Sequence, residues 1–307
     1  MILTRVQANN KVDIIIKTKN NDKMNNKEEI LTQLHAMYAK DENQATRCRH
    51  DYFTPQHVVI DEDCRRKMVE WCFSVADSFN LSRESVWRAM DILDRYLSSN
   101  KGMSMKALEN KHTFQLASTV CLYMAIKVHE DVEMTIEFLV KLCRHYYKAS
   151  EFINMEHDIL FALHWCICRT TPLDFVRHCL LLQSDLFDPD TIHCILENAQ
   201  KQIDLTTSDI YFANCKKSSV GIASLGVALV ESDVNPLEQE EFWSQLSSKL
   251  NFDFDEVREV EQQMLSGSKI RDKTLQSHLV LSKSKPASQN SCPNNEQVSP
   301  GSILSWA

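Results

Sequence analysis

From Asp61 onward, apolar residues recur at helical spacing for roughly two hundred residues. Met68, Cys72, Val75 and Phe79 fall at i, i+4, i+7 and i+11, one stripe of a helix turned to a core. Ser82-Arg-Glu-Ser85 offers a hydroxyl N-cap for a second helix, whose stripe is Met90, Leu93 and Leu97. The third helix, about 111 to 128, is apolar nearly all round, as a helix surrounded by neighbours must be. A fourth is predicted over about 133 to 146. A fifth follows over 149 to 164, burying Phe152, Met155, Ile159, Leu160 and Leu163.

Thr170-Thr-Pro172 interrupts this pattern with an N-cap followed by Pro at a first helical position, and a boundary is expected there. The plan then repeats, with helices predicted at about 171 to 182, 189 to 206, 217 to 231, 238 to 250 and 254 to 265. Ala117-Ser118 and Ala223-Ser224, each central in an uncharged helix, stand 106 residues apart. Two five-helix units in tandem, 61–168 and 169–266, are the simplest account of an all-α chain. Ahead of them, residues 26–60 read as an N-terminal helix, with Ile30, Leu31, Leu34 and Tyr38 at helical spacing, and an irregular connector in which Thr54-Pro55 forces an extended step. Residues 1–25 are rich in Asn and Lys, and 267–307 in Ser, Lys, Asn, Gln and Pro; both are expected to be disordered.

Composition narrows the function. In 307 residues there are only five glycines and seven prolines, which favours helices over hairpins and leaves little material for a phosphate-cradling loop. The formal net charge of -8 argues against nucleic acid and for a protein partner. Eleven cysteines, odd in number and without a CxxC, read as reduced thiols of the cytosol or nucleus. Neither a cleavable leader nor a membrane span is predicted, since the longest charge-free run, Thr113 to Ile126, is short of the roughly 20 residues a bilayer requires and carries Gln, Ser and Thr. No HExxH, GxSxG, Walker or GxGxxG motif occurs. His157 and His164 share a helix without a ligand-rich partner, so neither metal nor cofactor is expected.

Two charges stand out by position. Glu156 lies beside the apolar side of its helix, and Lys127 ends the long uncharged one. Each can reach solvent, pair internally or serve a partner, because a desolvated charge needs one.

Cys64-Arg-Arg-Lys-Met-Val-Glu-Trp71, Ile92-Leu-Asp-Arg-Tyr-Leu-Ser98 and the run Thr113 to Val128 together resemble the first helices of a cyclin box. The resemblance implies a non-catalytic subunit that binds and activates a cyclin-dependent Ser/Thr kinase as a heterodimer, in nucleus and cytoplasm. It assigns Lys127 and Glu156, the latter in Asn154-Met-Glu-His157, to grip the backbone of the kinase's regulatory helix, with Met124, Val128, Leu160 and Ile167 as an apolar cup. It further implies an Arg65–Asp94 structural ion pair and a groove of Met68, Trp71 and Gln115 for docking short peptides of substrates or inhibitors. The groove departs from the family pattern at Cys64, Arg66, Lys67 and Ser74, which shifts its expected preference toward less basic peptides. Ile203 to Phe212 resembles the second box of D-type cyclins, although no Leu-x-Cys-x-Glu signature is present. Ser299-Pro300 is a candidate proline-directed phosphorylation site. The rival reading is a cyclin-fold transcription scaffold of the general transcription factor B kind.

Overall fold

The computed structural model describes residues 23–42, 52–53, 59–250 and 253–266. Thr54-Pro55, the tail 267–307 with Ser299, and residues 1–22 of the N-terminal segment lie outside the described residues. Every regular element among the described residues is helical. In chain order they are α1 (Lys23–Glu42), α2 (Glu62–Ser78), α3 (Glu84–Ser98), α4 (Ser104–Glu109), α5 (Lys111–His129), α6 (Ile136–Leu142) and α7 (Ala149–Ala162). There follow α8 (Pro172–Leu182), α9 (Pro189–Thr207), α10 (Ile210–Asn214), α11 (Lys217–Glu231), α12 (Pro236–Lys249) and α13 (254–266).

The caps explain where helices begin. The Asp61 side chain accepts from Cys64 N at 2.8 Å, Asn110 from Thr113 N at 3.1 Å, and Thr171 from Asp174 N at 3.3 Å ahead of Pro172. Each satisfies an amide that has no partner within its helix. The hydroxyl expected at the start of the second helix is in place: Ser82 Oγ accepts from Glu84 N at 3.3 Å, and the Ser82 amide is itself held by Glu130 at 2.9 Å. The predicted fourth helix is cut to Ile136–Leu142, because Thr135 caps it late and Arg144 and His145 leave it with φ of 51° and 60°. Residues 23–25, expected to be disordered, are the first turn of α1. Two short helices, α4 and α10, had no periodic signal, being only 6 and 5 residues long.

Apolar contacts form two large clusters and a small one. In the first, α5 is packed by α2, α3, α4 and α7, and Phe114, Ala117, Val120, Cys121 and Ile126 are buried with Leu93, Phe152 and Ile159. In the second, α11 is packed by α1, α8 and α9, around Leu34, Phe175, Ile195, Ile222, Leu225 and Phe242. A third joins α13 to α10 and α11 through Val260, Met264 and Phe212. The two central helices carry the same device: Ser118 Oγ donates to Phe114 O at 2.8 Å and Ser224 Oγ to Val220 O at 2.7 Å, which lets a buried hydroxyl satisfy itself on its own helix. Gly221 lets α8 and α11 meet, since a Cβ there would come within 2.5 Å of Pro172 O.

Polar bonds tie the first cluster's helices to the second's. Arg83, just ahead of α3, and Trp87 of α3 both reach Asp204 of α9, at 2.7 and 2.8 Å. Glu84 accepts from Arg88 at 2.6 Å and from Arg177 of α8 at 3.0 Å. Asp41, at the end of α1, takes the amides of Lys217 and Ser218 at 3.2 and 2.7 Å and so caps α11.

Candidate functional site

The end of α5 lies against the middle of α7, and there Lys127 Nζ meets Glu156 Oε1 at 3.1 Å. The two side chains differ in setting: Lys127 is 56% exposed and Glu156 only 16%. Phe152, Met155 and Ile159 of α7 are buried in the first core, which fixes the helix and seats the Glu156 carboxylate at the edge of apolar packing. Hydrogen bonding to Glu156 raises the Lys127 pKa above the ordinary lysine value, and the ammonium also stands 5.4 Å from the Tyr123 ring centroid. A cation and a half-sunk carboxylate are thus presented together, one to donate and one to accept, each able to make a charge-assisted bond to a backbone.

The residues expected around this pair divide. Val128 is exposed and Leu160 part-buried. Met124 is a correction: it is 2% exposed and belongs to the first core, because α5 is enclosed on that side by its neighbours. Ile167 is part-buried and lines a cleft with Arg65, Trp87 and Met90.

What sequence reasoning missed is an aromatic pair at the C-terminal end of α7. Phe161 and Trp165 are 67% and 65% exposed and meet edge to face at 6.2 Å. Two left-handed residues, His164 and Trp165 (φ 51° and 62°), end the helix and turn the indole outward. The signal was present: Phe161 falls off the stripe of Phe152, Met155 and Ile159, and a large apolar residue off the stripe is a surface residue.

Between α2 and α3, Arg65 and Asp94 form a buried bidentate pair, with Nε and Nη2 at 2.8 and 2.7 Å from the two carboxylate oxygens and side-chain exposures of 2% and 3%. Tyr52 OH donates to Asp94 at 2.8 Å, and Arg65 Nη1 donates to Thr207 O at 2.8 Å. The pair joins α2 and α3 to the end of α9.

The expected peptide groove is largely filled. Met68 and Trp71 are each 2% exposed and Gln115 is 6%. What opens to solvent is a dimple of about 10 Å³ lined by Cys64, Met68, Lys111, Phe114 and Gln115. Trp71, the largest side chain expected to line the groove, is buried in the first core and has no face to offer. Beside the dimple Lys67 pairs with Asp63 at 2.7 Å and Arg66 with Glu70 at 2.6 Å, so the rim charges are met on their own helix.

Among the described residues no cluster of His, Cys, Asp and Glu could hold a metal, and no helix is long and apolar enough to cross a membrane. His164 is spent on Lys101, 2.8 Å away. Burial pushes the Cys72 and Cys143 thiols up to about 12, where they stay protonated at neutral pH and are poor nucleophiles.

Residues 33–168 match the family described as Cyclin, N-terminal domain. With the all-helical architecture, this defines the class of the matched segment: residues 33–168 form a cyclin N-terminal domain. Among curated relatives it is similar to the G1/S-specific cyclin-D2 of Xenopus laevis, 28% identical over 196 residues that make up 64% of each chain. The match to the same-named protein of Rattus norvegicus is 26% over 217 residues, covering 69% of this chain and 72% of the relative. Cyclin-A3-3 of Arabidopsis thaliana is 27% identical over 138 residues, 45% of this chain and 40% of that one. Among solved structures, a viral cyclin from herpesvirus saimiri superimposes with a TM-score of 0.55 at 25% identity, covering 68% of this chain and 87% of the other. The chain thus spans about 64% of the length of the first cyclin-D2 relatives.

Proposed function

We propose that the chain binds and activates a cyclin-dependent Ser/Thr protein kinase in cell-cycle control, acting in nucleus and cytoplasm as the regulatory half of a heterodimer. It would do so as two tandem cyclin-type units, 61–168 and 169–266. The observation that carries the reading is the Lys127–Glu156 pair, set on a rigid packed face with exposed Phe161 on the same helix and Trp165 just beyond its end. A kinase's regulatory helix laid over this pair would receive Lys127 at its carbonyls and the Glu156 carboxylate at its amides. Those bonds read backbone position and not side-chain identity, so they favour one placement of the helix, the placement in which the kinase's own Lys–Glu pair forms. Phosphoryl transfer takes place in the partner, and this chain supplies no catalytic group to it.

The internal 3.1 Å bond is what the partner helix must displace. Since Lys127 is more than half exposed, that exchange costs little. Substrate or inhibitor docking at Met68 and Gln115 is reduced to the dimple, which suits at most one small apolar side chain.

The test is a Lys127→Ala, Glu156→Ala double variant alongside the wild-type chain, each used to recover a kinase from dividing cells and assayed on a Ser/Thr-Pro substrate. The wild type is expected to recover kinase and activity, and the folded variant to lose both by at least about tenfold, as when a charge-assisted contact is removed from a buried interface. Undiminished recovery by the variant would sink the reading.

A further inference from the structure

Between Ser218 and Ser248 the chain carries five carboxylates, Glu231, Asp233, Glu238, Glu240 and Glu241, and no Lys, Arg or His. All five are exposed, and all lie on or beside the corner where α11 ends and α12 begins. Glu231 accepts from Gln202 at 2.8 Å and Glu241 from Gln245 at 2.9 Å, but among the described residues none of the five meets a cation. Lys201 of α9, whose neighbour Asn198 touches Ser232 at 2.9 Å, donates to Asn198 at 3.0 Å. The same corner holds two highly exposed aliphatic side chains, Leu237 at 73% and Val230 at 64%. Apolar side chains in water beside unmatched carboxylates make a surface for a segment that is cationic and apolar together.

The chain contains such a segment and starts it nearby. Residues 267–285, directly beyond the described end of α13, hold five cations, Lys269, Arg271, Lys273, Lys283 and Lys285, against the one carboxylate of Asp272. Ile270, Leu275 and Leu279-Val-Leu281 stand between them. Lys216 meets Glu256 at 2.8 Å and Ser224 Oγ meets Met264 Sδ at 3.9 Å, each pair 40 residues apart. Helix α13 therefore runs alongside α11 in the same direction and ends toward the end of α11. At 1.5 Å per residue, Val230 is about 9 Å beyond Ser224. Gly226 marks the junction, since a Cβ there would lie 3.5 Å from Glu261 of α13 and 3.7 Å from Trp243 of α12. The stretch Gly267 to Leu275 spans up to about 30 Å when extended, ample to cross the corner.

We propose that residues 267–285 fold back onto the α11–α12 corner, setting their aliphatic side chains against Val230 and Leu237 and their cations among the five carboxylates. A segment too polar to build a core of its own can still be held by a complementary surface. Attachment through α13 gives it an effective concentration of roughly millimolar order, so individually weak contacts suffice, whereas the tail of a second copy would lack that advantage. The proposal does not rest on the kinase reading, since Lys127 and Glu156 lie on α5 and α7.

The experiment is zero-length cross-linking of the full chain by a water-soluble carbodiimide, which joins a lysine amine to a carboxylate in direct contact. Products are read by peptide mass spectrometry on an equal mixture of ¹⁵N-labelled and unlabelled chains. Cross-links from the tail lysines to the corner carboxylates are expected, each within a chain of one isotope. Their yield should fall about fivefold in Leu237→Ser, which leaves every carboxylate and lysine in place, and at least as far when salt is raised from about 0.05 to 0.5 M. A chain carrying Glu238→Lys, Glu240→Lys, Glu241→Lys, Lys269→Glu and Lys273→Glu should form them with the polarity reversed. If that chain does not fold by circular dichroism, Leu237→Ser carries the comparison. Val132→Ser, at an exposed residue between α5 and α6, is the control and should leave the yield unchanged. No tail-to-corner product in the wild type, or a yield indifferent to Leu237→Ser, overturns the proposal. Products joining labelled to unlabelled chains overturn it too, and identify a second copy as the occupant.

Discussion

Arg65–Asp94 and Lys127–Glu156 are both ion pairs between neighbouring helices, and both close at about hydrogen-bond distance, yet they do opposite things. The first is enclosed on every side, bidentate, and shared with Tyr52 and Thr207. The second is held by a single hydrogen bond between its partners and has a lysine more than half in water. In a low-dielectric interior a charge cannot change partners without passing through an unpaired state, which makes the inner pair a lock. At the surface water fills the gap, so the outer pair is free to be exchanged for a ligand's backbone.

The largest effect should follow from opening the lock. Asp94→Ala strands the Arg65 guanidinium and removes the acceptor of Tyr52, and is expected to cost about 3 to 5 kcal/mol, with reduced soluble yield. Thermal denaturation checks it, and an unchanged midpoint would mean that Arg65 finds water in the folded chain, erasing the contrast with the outer pair.

Next in size is an effect on binding alone. Trp165→Ala removes an indole that is 65% exposed and sustains no core, so the melting temperature should hold. Affinity for the kinase recovered with the wild type should fall by about 2 kcal/mol or more, as for an aromatic anchor at an interface. Loss of stability in place of affinity would move Trp165 from the outer face to the inner class.

Much of this contrast was legible in the sequence, but unevenly. The stripes of α2, α3 and α7 and the enclosed character of α5 follow from spacing alone. Helix ends were harder, because Arg144, His145, His164 and Trp165 adopt left-handed geometry without glycine, and no residue type announces that. Met124 and Trp71 were misjudged for one reason: a motif gives the helix face, whereas burial depends on which helix covers it, and that is a tertiary fact. The aromatic pair was overlooked because attention to the stripe leaves off-stripe residues unread.

Between lock and exchangeable pair lies Glu84, whose side chain is 14% exposed and which holds both Arg88 and Arg177. Burial works to raise its carboxyl pKa, but the charges of Arg177 and Arg88 outweigh it and hold it below the ordinary value of 4.5. A depressed carboxyl pKa contributes stability that is present above the unfolded value and is lost as pH falls through the folded one. Acid denaturation should therefore begin to draw on this contact below about pH 4.5. Glu84→Gln should cost about 2 kcal/mol at neutral pH and flatten that part of the acid limb. A variant whose melting temperature falls equally at every pH would show a packing loss and not a titrating contact.

The smallest stability effect belongs to the outer pair. Lys127→Ala should change the unfolding free energy by no more than about 1 kcal/mol, because an exposed cation returns its solvation nearly in full when the contact is lost. The raised Lys127 pKa means that what stability the contact does contribute is present below the unfolded lysine value and fades only as pH climbs through the folded one, so unfolding curves of wild type and variant should run parallel across neutral pH. The Glu156 carboxylate, 16% exposed, is the more costly group to abandon, and Glu156→Gln in the Lys127→Ala background should recover part of any loss. A penalty approaching that of Asp94→Ala would show that the outer pair is a second lock, and a pair locked to itself could not be handed to a partner's helix.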